Sequence, residues 1–253
     1  MAGHKRFKDG SWRLMVYANR CLWMPTGPDP GDVKRSSFLQ ERLETVRRYR
    51  AASTTADTRK YADRPYRFFR IPQPSVPYIG IPRHVSENHR WFTVAHLTLD
   101  VIASDAIYTA LDPDGFLFGL MSSAMYIAWL RGVGGALESR LRFSNTIVHN
   151  PFPLPPAITP AHRKTIAAAG EKVRAAREAH APATLGELYD PLATPPDLVV
   201  AHAGLDRTVD SLFAPRRRFA TDEDRLTVLL DHYQALSAPL AAAAGAHTRR
   251  RRR

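Results

Sequence analysis

The sequence GFLFGLMSSAMYIAWLR, residues 115–131, is the longest apolar stretch of the chain and decides how the fold is organised. Its uncharged part, residues 115–130, is shorter than the roughly 20 residues that a membrane-spanning helix needs. The glycine-rich GVGG sequence at 132–135 is a stop signal for a helix. We therefore predict one buried helix over 115–131. Its aromatic residues are assigned to the core: Phe116, Phe118, Tyr126 and Trp129.

Short extended segments flank this helix. Prolines between residues 66 and 82 leave room for a short strand near 78–81, and residues 91–111 have the composition of two or three short strands. Residues 138–148 are a further strand candidate, and the prolines at 151–156 end it. The predicted fold class is α+β, with a small mixed module of short strands around a buried helix followed by an all-helical C-terminal module.

Helical patterns account for most of the remaining sequence. The first 33 residues are rich in Pro, Gly and Asp near their end and are predicted to be loop-like, after which Ser36 is a helix cap. The predicted helices begin there and continue at 54–62, 160–180, 195–213 and 221–238, the last one behind a Thr221 cap. The arginine run at 249–253 is of low complexity and is predicted to be disordered.

The amino-acid composition indicates which kind of partner the chain binds and in which cellular compartment it is found. The chain carries 36 basic and 24 acidic residues, a formal net charge of +12, which favours a polyanionic partner such as nucleic acid. The alternative explanation of the excess of basic residues is compositional drift towards arginine. The single cysteine, Cys21, excludes an intrachain disulfide framework and fits a reducing cytoplasm. No signal peptide opens the sequence and no run is long enough to span a membrane, so we expect a cytoplasmic protein.

Sequence signatures of catalysis are missing. The chain has no P-loop, no Gly-x-Ser-x-Gly and no His-Glu-x-x-His motif, and His84 and His89 lack a third ligand nearby. Asn150-Pro151-Phe152 is similar to the Asn-Pro-Pro-aromatic tetrapeptide of DNA amino-methyltransferases, but the second proline is absent. We therefore predict no catalytic residue and no metal site, and expect Asn150 to hydrogen-bond the backbone where a strand ends.

Alternating charges within residues 136–145 are a signature of recognition. Glu138, Arg140 and Arg142 would project from one face of a strand. A glutamate accepts a hydrogen bond from the cytosine amino group, and an arginine donates two to guanine in the major groove. The alternative is a solvated strand edge on which Glu138 and Arg140 pair with each other. A second polar cluster, residues 82–91, would meet phosphates or bases or be an ordinary polar loop.

Two segments resemble a known family. FGLMSSAMYIAWL (118–130) and LESRLRFSNTIVHNPFPLP (137–155) are similar to the target-recognition domain of MmeI-like enzymes, large single-chain restriction-modification proteins of type IIG. The resemblance extends more loosely over residues 13–240. Twelve residues carry it in its most specific part: Phe118, Gly119, Ser122, Ser123, Trp129, Arg142, Phe143, Ser144, Asn150, Phe152, Pro153 and Pro155.

This resemblance implies a domain order. Residues 1–65 would be the tail of a methyltransferase domain with a basic helical linker, and residues 66–156 a DNA target-recognition domain. Residues 157–245 would be a helical C-terminal domain, followed by a disordered arginine tail at 246–253. The implied DNA-binding residues come from the two polar clusters and one neighbouring turn: Glu138, Arg140, Arg142, Arg83, Ser86, Asn88 and Asp105.

The function that the resemblance implies is sequence-specific recognition of double-stranded DNA. The chain would be the specificity portion of an N6-adenine DNA methyltransferase of a restriction-modification system. S-adenosylmethionine would belong to the intact parent enzyme, and this chain, expected to be a fragment without the catalytic domain, would bind no cofactor. The alternatives are an interaction subunit that docks a separate methyltransferase polypeptide and a decayed, non-functional remnant.

Overall fold

The structure is a computed structural model that describes residues 2–6, 12–16, 30–67, 74–99, 101, 103–104 and 106–251. For residues 2–6, 12–16, 32 and 239–251 only the backbone is described. The chain divides into two compact units, residues 1–73 and 74–253.

The described residues of the first unit form two paired strands and three helices. Strands β1 (Ala2–Arg6) and β2 (Trp12–Val16) pair antiparallel, followed by α1 (Pro30–Arg35), α2 (Ser37–Ala51) and α3 (Ala56–Arg59). The prediction of a loop-like start is therefore wrong at residues 2–6, 12–16 and 30–33, and the rest of the first 33 residues lies outside the described part of the chain. The predicted cap is confirmed, since the Ser36 hydroxyl accepts a hydrogen bond from the Leu39 amide at 3.3 Å.

Two small antiparallel sheets open the second unit. Strand β3 (Tyr78–Pro82) lies between β5 (Ala95–Leu97) and β6 (Ile107–Leu111). The other sheet has the order β4 (His84–Val85), β8 (Arg140–Arg142), β7 (Gly135–Leu137). Only Arg83 separates β3 from β4, so one extended segment supplies a strand to each sheet.

The apolar run forms two helices instead of the single predicted one. These are α4 (Phe116–Met121) and α5 (Ala124–Val133). The break follows from Ser123, whose hydroxyl donates to the Leu120 carbonyl at 2.6 Å and accepts from the Tyr126 amide at 3.3 Å, which caps α5. Every residue from 118 to 130 is buried, and the assignment of the four aromatic residues of this run to the core is confirmed.

The predicted strand over 138–148 is confirmed only at residues 140–142. After β8 the chain forms a π-helix, Asn145–His149, because the Ser144 hydroxyl accepts from the Ile147 amide and the Trp129 indole donates to the Val148 carbonyl at 2.8 Å. The backbone amide of Asn150 donates to the backbone carbonyl of Asn145 at 2.8 Å, so Asn150 ends this π-helix and does not end a strand.

The helical C-terminal module follows the prediction. It consists of α6 (Pro160–Ala179), α7 (Leu185–Leu188), α8 (Pro196–Phe213) and α9 (Asp222–Arg251). The Thr221 hydroxyl accepts from the Asp224 amide at 3.2 Å, as expected of a cap. Helix α9 continues through residues 246–251, for which the composition predicted disorder; the alanine-rich sequence before them favours helix.

The strands and the helices of the second unit share one core, and the α+β fold class is confirmed. Helix α6 packs on α4 and α8, and α9 packs on α5. Buried residues of α6 and α8, such as Ile166, Leu198 and Leu205, lie in the same cluster as Phe92 and Trp129. The segments predicted as separate domains on either side of residue 156 therefore belong to one compact unit. Among the described residues, no helix combines the length and the apolar character needed to cross a membrane.

Candidate nucleic-acid interface

An exposed antiparallel ribbon, residues 135–142, is formed by β7 and β8. Residues 135–140 are all exposed. In β8 the side chains alternate, with Arg140 and Arg142 exposed and Leu141 packed against the core. Val85, paired with Leu141 across the sheet, is only 4% exposed. Because successive side chains of a strand point to opposite faces, the two arginines lie on the face of the ribbon that is turned away from the core.

Glu138 lies in the turn of the ribbon and not on a strand, which corrects its predicted position. Leu137 pairs with Arg140, so Glu138 and Ser139 form a two-residue connection. The backbone of Glu138 has φ +56°, a left-handed conformation that residues other than glycine seldom adopt. Its carboxylate accepts a hydrogen bond from the Arg140 guanidinium at 3.1 Å, which is the pairing that the alternative interpretation required.

His84 is a further member of this surface, because it pairs with Arg142 across the sheet. Residues directly opposite in an antiparallel pair share a face. The sequence analysis placed His84 in the polar cluster at 82–91 but not among the implied DNA-binding residues, since only the strand register reveals that it lies opposite Arg142. We call Glu138, Arg140, Arg142 and His84 the outward face of the ribbon. Within the described part of the chain the Arg142 guanidinium has neither a hydrogen bond nor an ion pair.

The predicted residues Ser86 and Asn88 lie in the loop that follows β4. The Ser86 hydroxyl accepts a hydrogen bond from the backbone amide of Asn88 at 3.3 Å. The guanidinium of Arg131, at the end of α5, donates to the carbonyls of Glu87 and His89 at 3.2 and 2.6 Å. Arg131 also pairs with the Asp222 carboxylate at the start of α9. The loop is thus held next to the ribbon's sheet by a contact that also joins α5 to α9.

Arg83 is separated from the outward face. Its backbone carbonyl accepts from the Phe143 amide at 2.9 Å, but its guanidinium lies over the Tyr108 ring, 4.8 Å from the ring centre. Arg83 therefore lies at the seam between the two sheets. Asp105 lies outside the described residues. In the described part of the chain, no three His, Cys, Asp or Glu side chains are grouped to hold a metal ion.

A buried polar network beneath these sheets was missed by the sequence analysis. The Asp206 carboxylate accepts from the Trp91 indole at 2.9 Å and from the Ala124 amide at 2.7 Å. His202 stacks on Trp91 with ring centres 4.2 Å apart, and its Nε2 lies 2.5 Å from the Tyr189 hydroxyl. The network joins α8 to the start of α5 and to the segment after β4. No local signal could reveal it, because Trp91 and Asp206 are 115 residues apart.

Burial shifts the acidity of this network. Desolvation raises the pKa of Asp206 to about 6, against the hydrogen bonds from Trp91 and Ala124, which lower it. Desolvation also lowers the pKa of His202 well below its ordinary value, and the nearby positive charge of Arg177 lowers it further. The Arg177 guanidinium donates to the Tyr189 hydroxyl at 2.8 Å and to the Val94 carbonyl at 2.6 Å. These contacts give the network a structural role, which is to fix the strands on the helices.

Known proteins share this architecture. DNA methyltransferase A of Bacillus subtilis (strain 168) is 32% identical over 217 residues, which are 86% of this chain and 24% of that protein. The solved structure of the type IIL restriction-modification enzyme MmeI in complex with DNA is similar with a TM-score of 0.74 and 34% identity. That similarity covers 86% of this chain and 29% of that one, so the chain spans less than a third of either relative.

Family models account for most of the sequence. The model described as the MmeI target recognition domain matches residues 9–156, and the model described as the MmeI C-terminal domain matches residues 144–241. The ribbon, residues 135–142, falls within the first match, and helices α6 and α8 fall within the second. The chain therefore belongs to the MmeI family and carries its target recognition domain and its C-terminal domain.

Proposed function

We propose that this chain reads the base sequence of duplex DNA with the outward face of the ribbon. The observation that carries the proposal is the alternation in β8, where Leu141 anchors the strand on the core while Arg140 and Arg142 remain exposed. The major groove of B-DNA, about 12 Å wide, admits a two-stranded β-ribbon. Arginine donates two hydrogen bonds to guanine there, and a glutamate accepts one from cytosine.

The Glu138–Arg140 ion pair is weak enough to be replaced by contacts with DNA. The side chains of Glu138 and Arg140 are 75% and 57% exposed, so their mutual attraction contributes roughly 0–1 kcal/mol. A bidentate contact between arginine and guanine discriminates against a wrong base by about 1–3 kcal/mol. The pair in the free protein therefore does not prevent base reading.

The relatives support a specificity role within a methyltransferase system. MmeI is a restriction-modification enzyme whose structure is a complex with DNA, and the Bacillus subtilis relative is named a DNA methyltransferase. We propose that this chain supplies target recognition for adenine methylation, and that S-adenosylmethionine belongs to the intact enzyme. The chain alone is then expected to retain no labelled S-adenosylmethionine in equilibrium dialysis.

Selection from a randomised duplex library at fixed salt tests the proposal. The wild-type chain should enrich one defined sequence. Arg140→Ala and Glu138→Ala should each lose preference at one base pair, by about 5- to 150-fold for the arginine. The matched control is Arg207→Ala, which removes an exposed arginine on α8 and should leave the selected sequence unchanged. Enrichment of no sequence by the wild type would overturn the proposal.

A second candidate is docking of a separate methyltransferase polypeptide through α2. None of the residues of α2 is buried, and Phe38 and Tyr49 are 56% and 77% exposed. Exposed aromatic side chains on a helix are typical of a protein interface. Co-purification with the product of an adjacent methyltransferase gene would support this candidate if Phe38→Ser and Tyr49→Ser weaken it. A complex that forms equally well with both variants would contradict it.

A further inference from the structure

An exposed apolar side chain lies beside the arginines of the ribbon. Leu137, the last residue of β7, is 48% exposed and pairs with Arg140 across the two strands. Because directly opposite residues share a face, the Leu137 side chain lies on the same side as Arg140 and Arg142. The neighbouring pair, Ala136 and Leu141, takes the other face, on which Leu141 meets the core.

The packing of the protein itself does not account for this position. A single exposed leucine is common on protein surfaces and carries no meaning alone. Here the leucine stands between charged residues at the turn of an exposed ribbon, where its side chain contributes to no buried cluster. Among the four DNA bases, only thymine presents a methyl group in the major groove, and apolar side chains recognise it by contact.

We propose that Leu137 is a specificity residue that contacts the C5 methyl group of a thymine. The inference rests on the proposed function and names one more base contact of the same surface. Opposite residues of an antiparallel pair are about 5 Å apart, and successive base pairs are separated by about 3.4 Å. The thymine therefore lies within one or two base pairs of the guanine that Arg140 reads.

Deoxyuridine substitution tests this contact, because it removes the methyl group and keeps every hydrogen-bonding group of thymine. In the library-selected site, replacing the thymine near the Arg140-dependent guanine should weaken wild-type binding about fourfold, the effect of one buried methyl group. Leu137→Ala should bind the thymine and deoxyuridine duplexes equally. The control is Leu192→Ala, at a leucine 99% exposed on the helical module, which should keep the wild-type difference.

The possible results separate the two proposals. If Leu137→Ala retains the fourfold preference for thymine, or if the wild type shows no preference near that guanine, the role of Leu137 is wrong while DNA reading by Arg140 stands. If the wild type selects no sequence at all, the proposed function fails and this inference fails with it. Loss of the thymine preference in Leu137→Ala, with Arg140-dependent discrimination intact, supports both.

Discussion

Glu138 combines a strained backbone with a side chain suited to base recognition. Its left-handed φ of +56° costs roughly 1–2 kcal/mol in a residue with a Cβ atom. Glycine would relieve this strain, although its greater freedom in the unfolded chain removes about 0.5–1 kcal/mol of the gain. A residue kept in an unfavourable conformation at an exposed turn is consistent with a functional demand on its side chain.

Two substitutions at this position separate strain from function. Glu138→Gly and Glu138→Ala both remove the carboxylate, but only glycine removes the strain. We expect Glu138→Gly to be more stable than Glu138→Ala by about 1 kcal/mol in urea unfolding. Both variants should lose the same base preference in DNA binding. Equal stability of the two variants would contradict the strained turn.

Close backbone approach controls the packing of the helices. Gly170 in α6 faces Gly119 in α4, and a Cβ atom at Gly170 would lie 2.9 Å from the Gly119 Cα atom. The neighbour is backbone and cannot rotate away. Alanine normally favours a helix over glycine by about 1 kcal/mol, whereas overpacking of a core costs about 1–3 kcal/mol. At Gly170 the steric cost is expected to win.

Substitution by alanine is expected to change the free energy of unfolding in opposite directions at Gly170 and Gly204. Gly170→Ala should lower the free energy of unfolding by up to about 2 kcal/mol, which is the overpacking cost less the gain in helix propensity. Gly204→Ala in α8, where the nearest atom is the end of the Arg207 side chain at 4.0 Å, should raise it by about 0.4–1 kcal/mol. Chemical denaturation of both variants measures the difference. Stabilisation by Gly170→Ala would show that α4 and α6 are not in close contact.

Local sequence signals predicted the elements that depend on local physics. The caps at Ser36 and Thr221 and the helices α6 and α8 follow from side chains a few residues away. The break at Ser123 was not predicted because the apolar run 115–131 has a continuous helical pattern. The two serines within it do not by themselves indicate that one of them caps a new helix, as Ser123 does. The π-helix depends on the Trp129 indole, a contact across 19 residues.

The same limit applies to the candidate site. Alternation along the chain predicted the shared face of Arg140 and Arg142, because residues two apart in a strand share a face. It could not predict the turn at Glu138 or the neighbouring His84, since both depend on strand register. The orientation of Arg83 towards Tyr108 likewise depends on how the two sheets meet.

Across residues 74–253, the buried network makes the recognition strands depend on the C-terminal helices. His202 and Asp206 of α8 contact Trp91 and the start of α5, so the two parts are expected to unfold together. The titration of these two groups has opposite effects on stability. Below the ordinary pKa of 6.5, an unfolded histidine takes up a proton that the buried His202 refuses, so its contribution to stability is complete above pH 6.5 and is lost as the pH falls.

Asp206 acts in the other direction. Its pKa is raised from 3.8 to about 6, so its carboxyl binds a proton more readily when folded, and its contribution to stability is lost as the pH rises from about 4 to about 6. The substitution His202→Gln keeps an acceptor for the Tyr189 hydroxyl but cannot titrate. Between pH 6.5 and 5.5 the wild type should lose up to about 1.4 kcal/mol of unfolding free energy through His202, and the variant should not show this loss. Parallel pH profiles of the two proteins would contradict the burial of a neutral His202.

Cross-linking tests most directly whether the ribbon enters the major groove. In a Cys21→Ser background, Ser139→Cys places a thiol in the turn of the ribbon, and Ser211→Cys places one on the exposed surface of α8. The probe is the library-selected duplex with a disulfide-activated tether on cytosine N4, an atom in the major groove. We predict that Ser139→Cys cross-links to tethers near the guanine read by Arg140 and not to a scrambled duplex. Equal cross-linking by Ser211→Cys, or none by Ser139→Cys, would contradict DNA reading by this ribbon.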